Sequence, residues 1–120
     1  MSVDLGGDLH WFAVRCIFEV GGAGDGEVQT YEERITLWRA SGFGEAIALA
    51  EAEAVEYASA LEQRPDAYLG LAQCYQLADE VGVGAEVFSL MRDSRLAPAE
   101  YLKTFFDSGG ERQGSGPSSA

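Results

Sequence analysis

The sequence predicts an α+β fold, a two-layer sandwich of order ββαββα whose four-stranded antiparallel sheet carries both helices on one face. Three observations lead there. WFAVRCIFEV at 11–20 and AYLGLAQCYQLA at 67–78 are dense in strand-forming apolar side chains. Between them, a three- and four-residue periodicity marks an amphipathic helix. ERITLWRAS at 33–41 then returns as EVFSLMRDS at 86–94, with Glu first, a large apolar residue third, a small hydroxyl fourth, Leu fifth, Arg seventh and Ser ninth.

Residues 1–8, acidic and without an apolar segment, read as a flexible start rather than a signal peptide. Residues 9–107 read as one domain, a length that suits one core. The first strand, 11–20, leads into GGAGDG, a flexible turn. That turn is no phosphate loop, because no Lys-Ser/Thr pair or helix start follows it. The second strand is VQTYEERITLWR, 28–39, and Ser41 and Gly42 open the helix. Phe43, Ile47, Ala50, Ala54, Tyr57 and Leu61 form its apolar stripe, while Glu45, Glu53, Glu56 and Glu62 read as a solvated face. Small alanines suit close approach to a sheet. Arg64, Pro65 and Asp66 stop the helix. Strand three is 67–78 and strand four AEVFSLMR, 85–92. Pro98 suits the first turn of a closing helix with Tyr101, Leu102, Phe105 and Phe106. From Ser108 the polar tail predicts disorder.

The doubled phrase implies two ββα units, with Cys16 aligned on Cys74. Antiparallel hairpins joined by the helix give spatial order 2-1-3-4, with the charged strands 2 and 4 at the edges. Alternation then assigns faces. Phe12, Val14, Cys16, Phe18, Ala72 and Cys74 are expected toward the helices, together with Ile35, Leu37, Phe88 and Leu90. The other side collects Trp11, Ile17, Trp38, Leu69, Leu71, Tyr75, Leu77 and Met91, with Ala13 and Val87. Helices cover only one face, so this second apolar face needs a cover. A second copy is the first candidate, because a two-fold contact needs only self-complementarity.

Catalytic signatures are absent from the pattern. Glu33 and Glu86 occupy matching positions but end opposite edge strands, and Arg39 and Arg92 suit carbonyls or neighbouring acids at strand ends. Together they form a weak polar site. His10, the only histidine, has no companion ligand at useful spacing, so neither a metal nor a cofactor is expected. With no signal-like or membrane-spanning stretch, a cytoplasmic address is expected, and in that reducing compartment the two distant cysteines, without metal spacing, read as buried thiols. The net charge of −12 argues against a nucleic-acid binder, which would need a basic stripe, and leaves a basic protein partner open. No apolar run reaches membrane-spanning length.

YEERITLWRA, FGEAIALAEAEAVEYA, YLGLAQCYQLAD and GAEVFSLMRDS together resemble the bacterial family called domain of unknown function 4288, over most of residues 10–112. The run around Tyr31-Glu32-Glu33-Arg34 is moderately specific for that family. The resemblance implies a small, single-domain bacterial protein and transfers no activity and no site residue. The expected function is a non-enzymatic, homodimeric interaction module, an immunity- or antitoxin-like protein being one concrete form. The alternative is a small-molecule binder or weak enzyme with a cleft at the sheet face or dimer interface.

Overall fold

The computed structural model describes residues 8–21, 26, 28–60 and 65–112. Their contacts divide the chain into two compact units, Met1–Ser89 and Leu90–Ala120. The first holds β1 (His10–Glu19), β2 (Tyr31–Ala40), α1 (Phe43–Ala58) and β3 (Ala67–Gln76). The second holds α2 (Pro98–Tyr101), which runs on into a π-helical turn, Leu102–Phe106. The fold is α+β, with a three-stranded antiparallel sheet of order β2-β1-β3. Expectations for 1–7 and 113–120 fall outside the described residues.

β1 is central because its side chains are largely apolar on both sides. It pairs with β2 through ten consecutive positions, from His10↔Ala40 to Glu19↔Tyr31, without a register shift. Its pairing with β3 runs from Phe12↔Gln76 to Cys16↔Ala72, slips, and resumes at Phe18↔Tyr68. Three β3 residues therefore face one β1 residue, a bulge. Gly70, inside it, adopts φ +80°, a left-handed conformation that costs glycine little.

The helix meets the sheet through alanines. Ala46, Ala50, Ala54 and Ala58 are buried at four-residue spacing. They lie over Phe12, Val14, Cys16 and Phe18. With no bulk beyond Cβ, they let α1 settle close to the large β1 side chains, as the alanine content suggests. Two larger members of the expected stripe sit at its margin: Phe43 is 49% exposed, its ring edge-on to Phe12 at 5.1 Å, and Tyr57 meets Phe18 edge-on at 5.1 Å. Leu61 lies outside the described residues. At the helix start, Glu45 accepts hydrogen bonds from the Ser41 backbone N–H at 2.7 Å and its Oγ at 2.9 Å. These bonds fasten the residue before the N-cap Gly42 to the first helical turn.

Two expectations need correction. In β2, Thr36 pairs with Val14 and Trp38 with Phe12, so Thr36 and Trp38 share the helix face and Ile35 and Leu37 the outer face. Trp38 packs against the core and is not an outer-face residue. A strand's parity moves as one: Trp38 packs on the core from this face, and Arg34 reaches Glu53 from the same face. Second, residues 85–92 contain no strand. Gly84 turns the chain at φ +81°, and the Ala85 N–H bonds to the Gly82 carbonyl at 3.0 Å. Glu86 and Phe88 then engage Tyr75 through their side chains, and no β-ladder forms.

Candidate functional site

The helix covers one side of the sheet. The outer side presents Tyr31, Glu33, Ile35, Leu37 and Arg39 from β2, every one exposed. Ile35 and Leu37 are 44% and 37% exposed, and Leu69 and Leu71 of β3 are 49% and 60%. Trp11, Ile17 and Tyr75 are half-buried, whereas Leu77 is buried. The Leu77 N–H donates to the Trp11 carbonyl at 3.0 Å, which holds the end of β3 against β1. Met91, also expected on this surface, is exposed in the second unit.

Arg15 stands at the middle of the outer side. Its guanidinium pairs with Glu33 at 3.4 Å, donates to the Gln73 side-chain oxygen and sits 5.4 Å from the Phe88 ring centroid. Its Nε is buried without a hydrogen-bond partner. Arg39 lies over Trp11 at 5.4 Å. The Tyr75 hydroxyl donates to Glu86, and this bond to a carboxylate raises the phenol above its ordinary value. The four residues of the weak polar site are thus divided. Glu33, Arg39 and Glu86 belong to the first unit, each with its own partner. Arg92 belongs to the second, where it stacks on Phe105 at 4.1 Å and donates to the Tyr101 hydroxyl at 2.7 Å.

A polar rim on the helix side escaped sequence reasoning. Arg34 makes two hydrogen bonds to Glu53, at 2.7 and 2.9 Å, and lies 3.7 Å from the Tyr57 ring centroid. Tyr57 in turn donates to Glu32 at 2.8 Å. The hydrogen bond from Arg34 holds the Glu53 carboxyl below its ordinary value, and the bond to Glu32 raises Tyr57. Glu53, expected on a solvated face, is therefore part of the helix–sheet joint. The available signal was Glu53 and Tyr57 at four-residue spacing opposite Glu32 and Arg34 at two-residue spacing. Nearby, the Tyr68 hydroxyl donates to Glu51. Burial raises the thiols of Cys16 and Cys74, which disfavours the reactive thiolate.

Among the described residues, no cluster of three or more His, Cys, Asp or Glu side chains could hold a metal. No described helix is long and apolar enough to cross a membrane. An open hollow of about 360 Å³ lies within the second unit, lined by Arg92, Ser94, Leu96, Pro98, Tyr101 and Leu102. It is built from the residues before α2, from α2 and from the first residue of the π-helical turn. No family model, curated protein or solved structure matches the chain. What the protein does is therefore to be sought in its own surfaces.

Proposed function

We propose that this chain is a non-enzymatic protein-interaction module that works as a homodimer, two copies meeting through the sheet, whose outer side is only partly covered by Phe88. One observation carries the reading. A sheet with a helix on one side leaves Ile35, Leu37, Leu69 and Leu71 exposed on strands beside Trp11, Ile17 and Tyr75. Clustered apolar side chains on a folded surface mark a contact site more often than isolated ones do. A second copy is the natural cover, because two-fold contact needs no second gene product.

Acidity adds a role for a further partner. A net charge of −12 creates a field that accelerates encounter with a basic protein. An immunity- or antitoxin-like module is the concrete form that small size and acidity favour. Light scattering at micromolar concentration tests the self-association. About 26 kDa is expected, twice the 12.9 kDa of one chain. A soluble species of one chain mass at high concentration contradicts the proposal.

A further inference from the structure

We infer that β2 pairs antiparallel with β2 of a second copy about a two-fold axis at Thr36, joining two three-stranded sheets into one of six strands. This inference rests on the homodimer reading and places the contact at the β2 edge, which carries Ile35 and Leu37 of the exposed apolar set, not across the whole outer face.

β2 ends the sheet, and β1 is its neighbour on one side only. An edge strand carries a row of backbone donors and acceptors ready for another strand. β3 is the other edge, but it is bulged opposite β1 and turns through Gly70 at φ +80°. A bulge bends a strand and interrupts its ladder, which is how sheets blunt an edge against pairing. β2 has no bulge, and its outer-face charges, Glu33 and Arg39, are of opposite sign. Its ten pairs with β1 are in unbroken register.

The side chains then choose the partner and the register. A two-fold axis perpendicular to the sheet sets equal steps before and after one residue opposite each other and keeps both helices on one side. Centred on Thr36, it places Glu33 against Arg39 of the second copy and Ile35 against its Leu37, each pair occurring twice. On the helix side the same register brings Arg34 toward the second copy's Trp38, a favourable cation–aromatic pairing. Neighbouring centres lose these matches. A centre at Ile35 sets Glu33 against Leu37, one at Leu37 sets Glu33 against Ser41, and one at Arg34 sets two Arg34 side chains together. Directly opposed unlike charges stabilise antiparallel strands and like charges destabilise them. Glu33 can serve both partners: its side chain is 60% exposed, and its pair with Arg15 is long at 3.4 Å.

Charge exchange tests the register. Sedimentation of the full chain is compared for wild type, Glu33→Arg, Arg39→Glu and the double variant, with Leu71→Asp as the probe of face-to-face packing. Each single reversal turns two attractive pairs repulsive and should weaken the dimer on the order of tenfold or more. The double variant re-forms both pairs with reversed sign and should return to within about threefold of wild type. A wild-type dimer that the single reversals leave intact, or that the double variant fails to restore, overturns the inference while self-association stands. Loss of that dimer in Leu71→Asp would then assign it to the sheet face. A wild-type monomer removes the self-association reading itself. Thr36→Cys supplies a measurement independent of charge. Residues facing across a strand pair have Cα atoms about 4.5–5.5 Å apart, within disulfide reach. Mild oxidation should yield a covalent dimer that wild type does not form, and failure to do so while the variant is dimeric contradicts the axis at Thr36.

Discussion

The two outer strands of the sheet answer the same problem in opposite ways. β3 meets β1 through a slipped register, with a left-handed glycine and a three-residue bulge. β2 is straight in register for its whole length, with an alternation of exposed and half-buried side chains that breaks only at its last residue. An exposed edge is a hazard unless it is blunted or used. That difference is the ground for proposing β2, and not β3, as the strand that pairs with a second copy. Opposite charges three residues either side of Thr36 make the β2 edge complementary to itself.

Substitutions at β2 give the largest contrast. Trp38 packs on the core from the helix face, so Trp38→Asp should cost about 2–4 kcal/mol in chemical denaturation. Leu37→Asp, one residue away on the outer face, should change monomer stability by about 0.5 kcal/mol or less. Equal costs at the two positions would undo the facing described for β2.

At β3 the test is conformational. A Cβ at Gly70 would meet nothing within 4 Å, so the strain of Gly70→Ala lies only in its φ of +80°. The expected loss is about 1–2 kcal/mol. A neutral result would mean that β3 can straighten, and the distinction between the edges would fail.

Smaller effects come from the rim that joins β2 to α1. The Arg34–Glu53 pair is partly exposed, so a double-mutant cycle should give a coupling of only about 0.5–1 kcal/mol. Because the folded Glu53 titrates below its ordinary value of 4.5, its contribution is complete above that value. It is lost as the pH falls through the lower folded value. Arg34→Ala should remove this acid sensitivity, as measured by unfolding midpoints across the acid range. The smallest expected change is chemical: Cys16 and Cys74 should alkylate slowly in the native protein and rapidly after unfolding, Cys16 more slowly because it is the more buried.

How much of this was legible in the sequence differed by strand. β1 and β3 announced themselves through dense apolar runs, and their helix-facing residues Phe12, Val14, Cys16, Phe18, Ala72 and Cys74 face as alternation predicts. β2 offered two apolar choices, Ile35 with Leu37 or Trp38 alone, and hydrophobicity could not decide between them. In the fold Trp38 packs on the core and Arg34 reaches Glu53, 19 residues away, from the same face; neither contact is visible in the strand's own pattern. The doubled phrase shows the same limit. ERITLWRAS lies mostly on β2 because β1 is there to pair with it, whereas residues 86–89 follow the Gly82–Gly84 turn and engage Tyr75 by side chains. A side-chain pattern can suit a strand, but only a neighbouring strand makes it one. Of the candidate site, Trp11, Ile17 and Tyr75 share the outer face as alternation assigns them, whereas Leu69 and Leu71 are exposed within the bulge, where alternation is interrupted; the central position of Arg15 was not legible, because its partners come from β2, β3 and Phe88.

Amide hydrogen exchange on the wild-type protein tests the central claim most directly. The β2 amides that point away from β1 should be protected, and their protection should rise with protein concentration. The outward amides of β3 should exchange quickly at every concentration. Outward β2 amides that exchange as fast as those of β3, at concentrations where the protein has the mass of two chains, would contradict pairing through β2.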